Sequence, residues 1–210
     1  KGQVRDASVL VAGNLADWPF ADRTGRFNAK ATVLADTLKF TEDWPAADNA
    51  VLFADFNGPG FSAIGHTDFL GNRIELKPSG IAQFSASDLI IDAHVDSDFA
   101  RLMPVLRKTP LKDVVGTTVT GLQGKGPVAA DVRMLFPLAR GMAFNQIGGS
   151  VTFKGTDIRM PEWNLGMQSL VGGSRFDNVG YIAENLKGKM AKLPVNLDLR
   201  VGSGHVLNKT

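Results

Sequence analysis

Four residues in one stretch have the types and spacing for cation chemistry. Asp88, Asp92, His94 and Asp96 share a face of an extended segment, because every second side chain of a strand points the same way. Three carboxylates and an imidazole are donors that a divalent cation accepts. Ile90 interrupts the row, and no calcium-loop spacing of Gly and Glu follows it. Leu89, Ile91, Ala93 and Val95 alternate with these residues, so the row also reads as the solvent face of a half-buried strand. That is the preferred reading, and neither a metal site nor a cofactor is assigned. His66, His94 and His205 match no H-E-x-x-H spacing. Gly60-Phe61-Ser62-Ala63-Ile64-Gly65 is one residue too long for a nucleophile elbow and precedes a strand, not a helix. Gly121-x-x-Gly124-x-Gly126 is followed by Pro127, which bars the helix start that a dinucleotide or phosphate loop needs. None of these patterns points to an enzyme.

The charge pattern excludes more than it assigns. The 210 residues carry a net +2 with pI near 8.9, too mild to imply a nucleic-acid partner. Residues 1–98 hold 8 Lys and Arg against 14 Asp and Glu, whereas residues 99–210 hold 15 against 7. Two basic clusters stand in the second part, one of Arg101, Arg107, Lys108 and Lys112, the other of Lys187, Lys189 and Lys192. Solvated strand edges are the default for such lysines, and anionic lipid head groups are the sharper reading. Tyr181 and the three tryptophans are too scattered to stack bases. The absence of cysteine rules out disulfides and thiolate metal sites. No apolar run approaches the roughly 20 residues of a membrane-spanning helix.

The elements that must position these residues are mostly strands. Period-two alternation bounded by Gly, Pro and Asn predicts strands over 4–13, 25–40, 50–56, 61–69, 72–77, 80–86 and 87–95. Strands are also predicted over 117–122, 128–136, 163–171, 174–176, 180–186 and 193–201, with two more in 146–160 parted by Gly155. On 25–40, Phe27, Ala29, Ala31 and Val33 share one face before the apolar set moves to Leu34 and Leu38. A change of parity needs a bulge, placed near Val33–Ala35. Gly71-Asn72 signals a hairpin.

Residues 96–116 are the exception. Phe99, Leu102, Met103 and Leu106 lie at i, i+3, i+4 and i+7, an apolar helical stripe behind the cap oxygens of Asp96, Ser97 and Asp98. Pro104 predicts a kinked or broken helix, and Thr109-Pro110 predicts a second turn ended by Gly116. The fold class is therefore all-β, a sandwich, barrel or elongated sheet. It forms one β-rich unit over 1–210, with 96–116 as a helical insertion between two β halves. Because the chain starts on Lys1 inside a strand, a segment of something longer is expected.

Several segments, in order along most of the chain, resemble YhdP-type members of the AsmA-like superfamily of Gram-negative envelope proteins. They are Val4-Arg5-Asp6, the run from Val11 to Phe20, Gly25-Arg26-Phe27, Leu38-Lys39-Phe40 leading to Trp44-Pro45, and Ala50 to Phe53. Leu106 to Leu111, Phe136-Pro137-Leu138 and Gly149-Ser150-Val151 follow. These are packing and turn residues. The resemblance implies a periplasmic segment of a parent protein anchored in the inner membrane. It also implies a strongly curled, mostly antiparallel sheet whose apolar groove carries phospholipid between the membranes, with neighbouring β modules of the same chain as partners. Groove-wall candidates are Phe27, Ala29, Ala31, Val33, Leu89, Ile91, Val132 and Met134. Phe99, Leu102, Met103 and Leu106 would face inward as a cap or lid, with Arg101, Arg107 and Lys108 at its rim. A structural module acting through an exposed sheet edge is the alternative.

Overall fold

A computed structural model describes residues 2–17, 20, 24–39, 42–85, 88–138 and 146–202. Trp18, Pro19, Phe40 and the terminal stretch 203–210, all singled out by the sequence, lie outside the described residues. The strands are β1 (Gly2–Gly13), β2 (Gly25–Leu38), β3 (Ala47–Asn57), β4 (Gly60–Phe69), β5 (Asn72–Ile81) and β6 (Asp88–Asp98). Helices α1 (Phe99–Lys108) and α2 (Leu111–Thr120) follow. The chain continues through β7 (Gln123–Lys125), β8 (Pro127–Pro137), β9 (Gln146–Met160), β10 (Leu165–Asp177), β11 (Gly180–Met190) and β12 (Leu193–Gly202). All pair antiparallel in one sheet of order β1-β2-β3-β4-β5-β6-β8-β9-β10-β11-β12, with β7 beside the far end of β9. The two terminal strands do not pair with each other, so the sheet is not a closed barrel.

The curl follows from one contact. Trp44, just before β3, meets Phe136 of β8 with ring centroids 6.2 Å apart. Four strand spacings separate β3 from β8, and in a flat sheet these amount to roughly 19 Å. Trp44, Ala47 and Phe69 from the first half thus share a buried cluster with Met134, Phe136 and Ile147 from the second.

Bulges produce much of this bending. Asp6, Asn49, Ser169 and Asn185 adopt left-handed φ of 52° to 55°, and each sits where the register of its strand slips. Aspartates on neighbouring strands hold three of them. Asp157 Oδ1 accepts from the Ser169 N–H at 2.9 Å, and Asp198 Oδ1 accepts from the Asn185 N–H at 2.6 Å. Asn49 donates its side-chain amide to Asp68 at 3.0 Å. The bulge predicted near Val33–Ala35 is absent from β2, and the bulges lie instead in its neighbours β1 and β3. The β2–β3 register itself runs unbroken from Asn28 to Leu38. Bulges also merge elements that the sequence divides. One strand, β9, runs through Gly155 (φ 101°), and another, β10, covers the stretches predicted separately over 163–171 and 174–176.

The helical insertion is longer than its signals suggest. Asp98 caps α1 by accepting from the Ala100 N–H, and its second oxygen accepts from the Gly126 N–H, tying the helix start to the entrance of β8. Pro104 lies inside α1 without ending it. Thr109 closes α1 onto the Val105 carbonyl and accepts from the Leu111 N–H, opening α2. The predicted strand at 117–122 is instead the last turn of α2, which passes Gly116 and continues to Thr120. Arg107 donates to the carbonyls of Thr120 and Leu122 at 2.8 and 2.7 Å. A guanidinium there satisfies helix-end carbonyls that would otherwise lack a partner, which favours helix over the strand propensity of the Thr and Val run.

Candidate functional site

Asp92, His94 and Asp96 of the acidic row are taken up by charged groups of neighbouring strands. Asp131 of β8 accepts from Lys77 at 2.6 Å and meets His94 Nδ1 at 2.9 Å. On the other side of the ring, His94 Nε2 meets Asp96 at 3.1 Å, and Asp96 accepts from Lys154 at 2.5 Å. Asp92 faces Arg133 at 3.5 Å. A chain of alternating charge thus crosses four neighbouring strands. Among the described residues no group of three or more His, Cys, Asp or Glu has metal-binding geometry. The hydrogen bonds from Asp131 and then Asp96 raise the His94 pKa above 6.5. Lys77 and His94 lower that of Asp131 below 3.8, and Lys154 and His94 lower that of Asp96 likewise.

The pH dependence follows from these directions. A raised histidine pKa gives stability that is fully present below 6.5 and is lost as pH rises through the folded value. The lowered carboxylates give stability present above 3.8 and lost as pH falls through theirs. Urea unfolding of the wild type and His94→Gln should therefore differ most near about pH 5, with the gap closing toward about pH 9. A gap independent of pH would show that the imidazole stays neutral in the fold.

The apolar faces divide the groove-wall candidates into two sets. On β2, Phe27, Ala29, Ala31 and Val33 are half-buried. Their cross-strand partners are Val11, Val9 and Val4 on β1, and Phe56, Ala54 and Leu52 on β3. Phe56, Phe61 and Phe84 extend this face as a stack with centroids 5.3 and 6.3 Å apart. Much of it is uncovered, with Val4 64% and Val9 68% exposed. The other face of these strands is mostly polar, although Phe53 and Ile64 pair on it and are exposed. By contrast, Leu89, Ile91, Val132 and Met134 pack into the cluster of Trp44, Phe69, Leu111 and Phe136. Simple alternation puts Val4 and Val9 on opposite faces of β1, and the register slip between Arg5 and Ser8 brings them to the same one. The Phe84 stack had no sequence signal, because it joins residues from three segments.

The helix fills the second half of the curl. Phe99 and Met103 are buried against Val128, Phe153, Ile158, Met167, Leu170, Ala183 and Leu186, with Leu102 and Leu106 partly buried beside them. Arg101 and Lys108 are exposed, whereas Arg107 is committed to the α2 carbonyls. The four apolar residues thus form one face of α1 against this cluster.

Some of the residues that carry the family resemblance are packing residues here. Trp44, Leu111 and Phe136 come from three separate motifs and meet in a single cluster. A family model described as YhdP protein matches residues 1–209. The chain belongs to the YhdP family. It is 26% identical over 204 residues to the intermembrane phospholipid transporter YhdP of Escherichia coli strain K12. The match covers 97% of this chain and 16% of that protein. No solved structure matches. No helix among the described residues is long and apolar enough to cross a membrane.

Proposed function

We propose that this chain is a non-enzymatic lipid-handling segment of a larger YhdP-family protein, holding phospholipid acyl chains as they pass between inner and outer membranes. The observation that carries the proposal is the asymmetry of the curl. Its second half is filled by α1, while the apolar face at the β1 side of the sheet stays open, with Val4, Val9, Val11 and Phe56 exposed. An acyl chain is the ligand such a surface suits, since each methylene removed from water contributes about 0.8 kcal/mol. Phe27, Ala29, Ala31 and Val33 form the lining, and Leu89, Ile91, Val132 and Met134 continue the same face into the closed part. The relative's function as a phospholipid transporter supports this reading. On this reading the chain lies in the periplasm, within a parent anchored in the inner membrane. The unpaired outer edges of β1 and β12 then join neighbouring β modules of that parent, since an open edge presents a full row of unpaired backbone groups.

A photocrosslinking residue in place of Ala31 tests the lining. Recovery of phospholipid from the Ala31 position, and none from the outward-facing Lys30 beside it, is the expected result. Equal capture at both positions, or none at either, removes the acyl-binding reading. In the latter case the open edges favour a purely structural module.

A further inference from the structure

The basic cluster of β11 has no part in the apolar lining, and the register places it beside two exposed apolar residues. Gln168 of β10 pairs with Lys189 of β11, so the β9–β10 and β11–β12 connections lie at the same end of the sheet. The first is the turn Pro161–Trp163, with Trp163 61% exposed. The second is Ala191-Lys192, closed by the Met190–Leu193 pair, with Leu193 68% exposed. Two strand spacings put these tips about 10 Å apart. Trp163 differs in this from Trp44, which is buried in the core. Arg159, Lys187, Lys189 and Lys192 surround the tips, all exposed, and outnumber the nearby acids Glu162 and Asp157. Among the described residues none of these four cations is in an ion pair. The backbone adds a further sign. Ala191 and Lys192 both take left-handed φ, 48° and 71°, where a two-residue turn ordinarily carries Asn and Gly. Non-glycine residues held in that region are strained and persist where the surroundings require them.

We propose that this end of the β9–β12 hairpins is a docking surface for a bilayer containing anionic phospholipid. Trp163 and Leu193 enter the head-group layer, where an amphipathic indole is at home, and the four cations meet the lipid phosphates. The site is distinct from the acyl-binding face and does not depend on it.

Flotation of the 210-residue chain with phosphatidylcholine vesicles, with and without phosphatidylglycerol, tests the proposal. Binding is expected only with phosphatidylglycerol, and it should weaken as salt rises. The tryptophan emission that Trp163→Phe removes should shift to the blue and be quenched by brominated lipid. Lys187→Glu, Lys189→Glu and Lys192→Glu together should weaken binding at least about tenfold, and so should Trp163→Ser with Leu193→Ser. Ala191→Asn with Lys192→Gly guards against misfolding as the cause. It relieves the turn, so it should fold at least as stably as the wild type while binding vesicles less well. Equal binding to both vesicle types, or wild-type affinity in the tip variants, overturns the proposal. Binding to heparin without binding to vesicles also overturns it, assigning the cations to a soluble polyanion.

Discussion

Trp44→Ala should destabilise the chain by about 3–5 kcal/mol, the range for removing a large aromatic residue from a core. Trp44 is 6% exposed and touches both Phe69, at 6.3 Å between centroids, and Phe136, at 6.2 Å. It therefore joins the strand ends of the first half to β8 across the interior of the curl. The truncation leaves a cavity inside the cluster that the two halves share. Chemical denaturation gives the size of the effect. A double-mutant cycle with Phe136→Ala should show coupling of about 0.5–1.5 kcal/mol, as for edge-on aromatic pairs. A loss below about 1 kcal/mol would mean that the bulges alone hold the curl.

Met103→Asp should be comparably damaging. Met103 is 4% exposed, on the face of α1 that meets Val128, Phe153 and Leu170. Truncation of such a methionine costs about 2–5 kcal/mol, and an aspartate adds an unpaired carboxylate to an apolar site. Helix α1 is then expected to leave the curl, exposing the apolar face of β8–β11. Met103→Ala and Met103→Asp followed by urea unfolding and by binding of a hydrophobic dye separate the two contributions. If Met103→Asp unfolds at the wild-type midpoint, α1 is not a structural plug, and the second half of the curl is as open as the first.

Both effects depend on contacts that no local pattern contains. The apolar stripe Phe99, Leu102, Met103 and Leu106 was legible because a helical period of 3.6 brings those positions together whatever the surroundings. The cap at Asp98 and the restart at Thr109-Pro110 were legible for the same reason, since caps act within one turn. The end of α2 was not, because Arg107 settles it from thirteen residues away. The groove-wall candidates were legible as a face, through strand alternation, but not as covered or uncovered. Ile91 and Val9 both sit on alternating apolar faces, yet one packs against the Trp44 cluster and the other is exposed.

The sequence by itself determined the strand-rich class, the helical insertion, the solvent-facing role of the acidic row and the family motifs. Each rests on local periodicity, local chemistry or the order of short apolar segments. Tertiary structure alone decided which neighbours carry the bulges, which half of the curl α1 fills, and that Trp163 and Leu193 stand together among the lysines of β11. Those outcomes depend on strand register and on contacts between distant segments, and a single chain of letters does not specify which of its equally apolar faces will find a partner.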